Sequence, residues 1–347
     1  MAGTKAISIE DSQREAKRYE NTLQTLPFST MEEATNTLGI NLIEVANKNT
    51  IVAFERNGRI ARPYSPGDED FEHEIGKVKE RTLQVEKCYA AIKDHIDNYK
   101  EMLVATNNPL GEKVNNKTKE HPLAQMILNN MVTTVSEDIV DAMFFSQRDV
   151  NDKSPLGMFD GFFPLIDLEV ASGDIAVGKG NLKTTGALVA PTSDTDTEAY
   201  EKLVEFIRTS HVQLQKNGVV LISKSALFNV MDALRNQITN KPLMAYDVFL
   251  EHLRGTCSAP KLQLRTHEAL GTGSKLIYTL PGNLDLGMNT ITDKEFIQVR
   301  QIYNDPNYVQ FWNQFEMGAR IRNIHQKMFR TNEQTNTGLT LSGDYIS

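Results

Sequence analysis

The sequence predicts an α+β fold, and three stretches carry that expectation. Residues 121–146, HPLAQMILNNMVTTVSEDIVDAMFFS, place Leu123, Met126, Ile127, Met131, Val135, Ile139, Ala142 and Met143 at three- and four-residue steps. That is the period of one buried helix face. Residues 197–238 read as helix, apolar strand (VVLIS, 219–223) and helix, the order of a sheet covered by helices. Residues 295–317 read as two long strands around Asn304-Asp305-Pro306-Asn307, a turn sequence. On the second of these, Val309, Phe311, Asn313 and Phe315 alternate with Gln310, Trp312, Gln314 and Glu316, as on a strand with two unlike faces. The two strands should pair in an extended sheet of their own, beside the long helix.

From the N-terminus, residues 8–26 carry a thin apolar stripe (Ile9, Ala16, Tyr19, Leu23, Leu26) and read as a helix closed by Pro27. A short helix over 30–38 ends at Gly39, a suitable C-cap. The stripe is too narrow to make a core alone and needs another surface. Ile40 to Phe54 gives two apolar bursts of strand type. Residues 55–81 follow with little periodicity: Asn57-Gly58 signals a turn, Pro63 and Pro66 block regular pairing, and carboxylates crowd 68–74. A stretch of that length is too long for an idle connection. It reads equally as a surface loop or as an arm ordered by contact with a neighbour.

Residues 82–90 look strand-like, and a helix carrying Ile92, Ile96, Tyr99 and Leu103 is expected after them. A polar link over 107–119 leads to the long helix, with Pro122 at its first position and His121 as N-cap. Residues 149–157 form a turn-rich joint, and MFDGFFPLIDLEVA (158–171) an apolar crossing into a new domain. Residues 173–197 are loop-like. A Thr195-x-x-Glu198 capping box should open a helix from Thr197 to about Lys216, with Leu203, Phe206, Ile207 and Leu214 inward. Helices over 224–238 and 245–254, strands near 261–265 and 275–279, and a turn at Pro281-Gly282-Asn283 complete the block. Residues 331–347 are polar and read as a tail or an edge piece.

With 40% hydrophobic residues the 347-residue chain has ample material for a core. Its net charge of −8 argues against a dedicated nucleic-acid binder, which needs a basic face, but does not exclude a container for nucleic acid, which should avoid sticking to its contents. Cys88 and Cys257 match no metal spacing and should be reduced and packed. No apolar run approaches ~18 residues, and the N-terminus lacks an apolar signal core, so neither a membrane span nor a signal peptide is expected.

Chemistry is sparse. Gly173 to Lys179 has the G-x-x-x-x-G-K spacing of a phosphate loop, but Gly180 replaces the magnesium-holding hydroxyl and no helix is expected to follow. The seven histidines are dispersed, with no paired ligand spacing. No G-x-S-x-G elbow surrounds Ser223 or Ser225. Asp160 and Asp167 suit turn or cap roles. Arg300, Arg320 and Arg322 beside Trp312 read as ordinary sheet residues available for contacts between subunits.

In their order, the N-terminal arm, long excursion, spine helix, α/β domain and late hairpin resemble the tailed-bacteriophage major capsid protein fold, which encapsulins and the herpesvirus capsid floor share. EHPLAQMILNNMVTTVSEDIVDAMF is similar to that family's spine entry, and MFDGFFPLIDLEVASGDI to its crossing from peripheral to axial domain. TLPGNLDLGMNT with the hairpin through FEMGARI resembles the return to the peripheral domain.

The resemblance implies an N-terminal arm (1–46), an extension loop (47–85), a peripheral domain (86–165 and 290–318) and an axial domain (166–289 and 319–347). It implies a non-enzymatic major capsid protein with no catalytic residue, cofactor or metal. Such subunits assemble as hexamers and pentamers, through a procapsid, into an icosahedral shell that encloses double-stranded DNA without reading its sequence. Portal, scaffold and decoration proteins are the further partners, no membrane is involved, and the virion forms in the host cytoplasm. An encapsulin-type shell with enzyme cargo is the alternative the same fold allows; a nucleotide-binding enzyme using Gly173–Lys179 is the alternative outside it.

Arg59, Arg62, Glu69 and Asp70 are the expected inter-subunit contacts. The segment before the extension loop is short, so no large cleaved N-terminal scaffold is expected. Lys77 and Lys79 lie where some relatives carry a cross-linking lysine, but nothing marks a partner asparagine or an activating carboxylate, so no covalent cross-link is expected.

Overall fold

In the computed structural model, residues 31, 33–45, 48–56, 76–95, 122–238, 245–289, 297–302 and 305–338 are described. The expected helix over 8–26 and the link over 107–119 lie outside them.

One strand ties the architecture together. β12 (Asp305–Ile321) is 17 residues long and sits inside a five-stranded sheet. Along one edge it pairs antiparallel with β4 (Glu86–His95), from Tyr308↔His95 to Met317↔Glu86. Its other edge takes β11 (Ile297–Ile302) and then β10 (Leu284–Asn289), with β1 (Asn41–Glu44) parallel outside β10. Ahead of β1, a short helix α1 (33–38) ends at Gly39, whose φ of +76° lets the amides of Gly39 and Ile40 both reach Thr35 O, at 2.7 and 2.8 Å. In the late hairpin, residues 305–307 already belong to β12, and the register shifts between Gln301 and Ile302.

Ile92 lies in β4, opposite Phe311, and not in a helix. Ile92 and Ile96 are four residues apart, a spacing that a strand's period of two satisfies as well as a helix's; pairing with β12 decides.

The long helix α2 runs Pro122–Phe145, as its apolar period requires. Val135, Ile139, Ala142 and Met143 are buried with Phe315, Met317, Ala319 and Ile321, one face of β12. Helix α3 (Phe162–Ala171) returns against the last turn of α2. Gly161 allows this approach, since a Cβ there would lie 2.8 and 2.9 Å from the carbonyl oxygens of Met143 and Ala142. The Phe144 ring then packs 5.4 and 5.2 Å from those of Phe162 and Phe163.

The second sheet has the order β5 (Leu182–Lys183), β13 (Phe329–Asn332), β9 (Ile277–Thr279), β6 (Val219–Leu221), β7 (Gln263–Arg265). Helices α4 (Glu198–Arg208), α5 (Val212–Asn217), α6 (Lys224–Gln237) and α7 (Tyr246–Cys257) belong to this half of the chain.

Two expectations fail here. The helix predicted over 197–216 is two helices, broken at Thr209–His211. Arg330 donates to Phe206 O (3.1 Å) and Thr209 Oγ1 (3.0 Å) at the end of α4, and His211 Nδ1 accepts from Gln213 N (3.1 Å) to start α5. The capping box does not form either. Asp196, closer to the helix, takes the Glu198 amide (3.1 Å), and Thr197 Oγ1 bonds Glu201 (2.7 Å).

The polar C-terminal stretch is no tail over its first half. β13 is central and buried, and β14 (Asn336–Thr337) pairs with β8 (Thr272–Gly273). Residues 339–347 lie outside the described ones.

Candidate assembly surface

Strands β2 (Lys48–Arg56) and β3 (Gly76–Gln84) pair antiparallel over nine residues, from Lys48↔Gln84 to Arg56↔Gly76. They form a two-stranded sheet of their own. At ~3.3 Å per residue the ribbon is about 30 Å long. Residues 48–50 and Glu80 are exposed, and Val52 is 62% exposed. Its two strands carry five basic residues (Lys48, Arg56, Lys77, Lys79, Arg81) against Glu55 and Glu80. The excursion expected over 55–81 thus begins and ends as paired strand. Arg59, Arg62, Glu69 and Asp70 lie outside the described residues, in the stretch joining β2 to β3.

The root of the ribbon is built differently. β3 runs into β4 with only Val85 between them. There the chain crosses the sheet over two glycines that face each other in register, Gly287 on β10 and Gly318 on β12, with Ile43 of β1 opposite Gly287. A Cβ on Gly318 would lie 2.1 Å from Gln84 O; one on Gly287 would meet Leu83 Cδ2 at 2.9 Å and Val85 Cγ1 at 3.2 Å. Into the groove that these glycines leave, Leu83 and Val85 are buried with Val45, and Ile43 packs against them. The pivot is apolar and tight.

An ionic contact lies two residues out. Arg81 Nη2 pairs with Glu169 Oε1 on α3, and Arg81 Nη1 donates to Ile321 O at 3.3 Å. Arg320 Nη2 is 3.9 Å from the same Glu169 oxygen, and Arg320 Nε is buried without a hydrogen-bond partner. Burial, and then the Arg320 guanidinium, push the Arg81 pKa down to about 10, with Asp174 acting against them. Two arginines therefore share one carboxylate at the joint between ribbon and body.

None of Arg81, Glu169, Gly287 and Gly318 was singled out from sequence. A glycine inside a strand pattern, as in DLGMN and EMGAR, is the signal for a close backbone approach. A lone glutamate in the apolar run FFPLIDLEVA is the signal for Glu169.

The other candidates resolve into structure. Arg322 donates to the fully buried Asp285 at 3.0 and 2.8 Å, and Arg320 Nη2 stands 3.9 Å from Glu169. Asp167 is no cap. It pairs at 2.5 Å with Lys275, which is 4% exposed and lies over the Phe163 ring. Asp160 accepts from the Arg148 amide at 2.9 Å.

In the Gly173–Gly180 loop, Lys179 pairs with Asp174 (3.1 Å), and Asn181 spans the interior, bonding Asp174 O (3.0 Å), Ile324 O (2.8 Å) and the Ala176 amide (2.9 Å). A short β5 follows, so no helix N-terminus faces the loop. Cys88 and Cys257 are free and buried; burial pushes their thiols up to about 12 and about 11. Tyr200, bonded to His252 Nδ1 and Thr256, has its pKa raised by burial, the wrong direction for a nucleophile. Among the described residues no group of His, Cys, Asp and Glu could hold a metal ion, and no helix is long and apolar enough to cross a membrane.

A detached ribbon, a spine helix, a helix-covered sheet and a late long-stranded hairpin, in this chain order, define the fold of the tailed-phage major capsid proteins. No family model matches the chain, and no curated protein matches it in sequence. Solved structures do. A chain of the satellite phage P4 procapsid that includes the size determination (Sid) protein is 14% identical and superposes with a TM-score of 0.55, over 89% of this chain and 90% of its own. The capsid of an empty GTA particle matches at 13% identity and TM-score 0.51, over 86% and 94%. The capsid of Myoviridae phage XM1 matches at 10% and 0.51, over 86% and 90%.

Proposed function

We propose that this chain is a capsid shell protein that assembles with copies of itself. The observation that carries the reading is the β2–β3 ribbon: nine-residue strands, anchored at one end, with Val52 open to solvent. A two-stranded hairpin is marginal in water and gains stability from a further surface. A second copy supplies one, and head-to-tail contacts of that kind close into rings. In this reading 47–85 is the extension loop over an adjacent subunit, with Arg59, Arg62, Glu69 and Asp70 in its charged contacts. Residues 86–165 and 290–318 form the peripheral domain, and 166–289 and 319–347 the axial domain around hexamer and pentamer centres. The shell encloses double-stranded DNA, works with portal, scaffold and decoration proteins, and is built in the host cytoplasm; the net charge of −8 favours a lumen that does not bind its contents. The subunit has no catalytic role.

The test shortens the ribbon without touching its root. Replacing residues 54–78 by Asn-Gly joins Ala53 to its register partner Lys79 through a hairpin turn. The expected product is a folded subunit that forms no closed particles by negative-stain electron microscopy, while the parent protein does. Particles of parental size from the shortened chain would defeat the proposal.

A further inference from the structure

The ribbon root combines a pivot with a contact of a different kind. The pivot (Leu83 and Val85 over Gly287 and Gly318) is apolar, buried and specific to one register. The contact two residues out is ionic and has one carboxylate for two cations: Arg81 on the ribbon and Arg320 on β12. Arg320 is the incompletely used partner, its Nε buried with nothing to donate to and its Nη2 3.9 Å from Glu169. Closing that gap to a charge-assisted hydrogen bond takes a movement of about 1 Å.

We propose that Glu169 is a two-position latch: paired with Arg81 it fixes the direction of the ribbon, and paired with Arg320 it lets the ribbon swing about the glycine pivot. Breaking a half-buried ion pair is ordinarily costly because it strands a charge away from water. Here the carboxylate has a second cation beside it, so releasing Arg81 leaves no buried charge unpaired; it gives up one long hydrogen bond to Ile321 O (3.3 Å), and Arg81 moves out with the ribbon into solvent. Repulsion between the two guanidiniums, with burial the cause of the depressed Arg81 pKa, favours release; Asp174, also facing Arg81, opposes it. Two discrete pairings of one side chain make a bistable joint, the kind of element that turns a small local change into a hinge motion. In a shell the two positions would let one chain present its ribbon at different angles to different neighbours. That consequence rests on the capsid reading; the latch itself does not.

Hydrogen exchange followed by mass spectrometry on the dilute, unassembled full chain separates the two ideas. Arg81→Gln and Glu169→Gln each remove the latched pairing, and exchange over 48–56 and 76–82 is expected to rise about tenfold while that of α2 and β12 stays unchanged. Arg320→Gln removes the alternative partner, so ribbon exchange should be no faster than in the parent. If Arg320→Gln loosens β12 itself, Arg320→Met, which keeps the aliphatic stem and removes the charge, takes its place. Equal acceleration by all three substitutions would reduce the triad to a static brace and overturn the latch. No acceleration by Arg81→Gln or Glu169→Gln would overturn it as well. Failure of the parent to form particles, with these exchange differences intact, would defeat the capsid reading alone.

Discussion

Gly287 and Gly318 face each other in register, yet replacing each by alanine should have very different effects. A Cβ on Gly318 falls 2.1 Å from Gln84 O, where a carbon–oxygen contact needs about 3.3 Å. The obstructing atom is backbone, and its neighbours Leu83 and Val85 are both buried, so it cannot turn aside. The root must lift by about 1 Å, a gap that forfeits a quarter to a half of each dispersion contact it opens. With the usual overpacking cost, Gly318→Ala should weaken the root by about 3 kcal/mol. On Gly287 the new methyl meets the end of the Leu83 side chain at 2.9 Å, which yields by a rotamer adjustment. The gain of about 0.5–1 kcal/mol from replacing a strand glycine offsets most of that. Amide exchange at 83–88, with urea denaturation of each variant, measures the difference. The reasoning is refuted if the two variants are equally protected and equally stable, or if Gly287→Ala is the more damaging.

Arg330 is 5% exposed, lies over the Phe206 ring and satisfies the C-terminal end of α4, so Arg330→Ala should cost about 3 kcal/mol, read as a fall in the urea midpoint at constant m. His267 is held neutral by burial, against the pull of Glu268 and Glu33, and its Nδ1 accepts from Ala269 N at 3.1 Å. Its folded pKa lies below the ordinary 6.5, so the folded state binds fewer protons and stability declines as pH falls through that value; His267→Asn should flatten this part of the pH profile. Cys88 and Cys257 should resist a thiol reagent at neutral pH until denaturant is added, when both react; reaction of either in the native protein would contradict their burial.

Where one face of an element is buried and the other wet, the sequence is readable. The helices over 224–237 and 246–257 have that contrast, VVLIS reads as a strand buried on both faces, and the structure has these elements, the long helix and the late hairpin close to their expected places. On the ribbon, residues 48–50, Val52 and Glu80 are exposed. Its first strand is announced by TIVAF, but from Glu55 onward the sequence reads as an uncommitted excursion, because alternation reports burial rather than extended backbone. β13 fails in the opposite sense. Thr331 and Asn332 are buried but polar, satisfied by side-chain bonds to Leu276 O (2.9 Å), the Leu276 amide (2.8 Å) and Ser274 O (2.7 Å), so a central strand looks like a tail. The shared carboxylate was illegible for a different reason: Arg81, Glu169 and Arg320 are distant in sequence and meet only after β12 has brought the ribbon root to α3.

The helix-covered sheet is best understood as a wall between two cores. Along β6 and just beyond it, Val219 and Leu221 face the core that holds α2, α3 and β12, while Val220 and Ile222 face the core of α4, α6 and α7. β9 divides in the same way, with Ile277 on the first side and Tyr278 on the second. Strict alternation of fully apolar residues is therefore what joins the halves, and it explains why residues 219–222 include no polar position. Neither half can shed the wall without exposing half of each strand. The ribbon root, on the opposite face of β12 from the spine, is not built into either core. Its burial comes from the small cluster of Val45, Leu83 and Val85 and from one shared carboxylate. An arm set apart from both cores can change direction at the cost of a few contacts, while the body that carries it remains rigid.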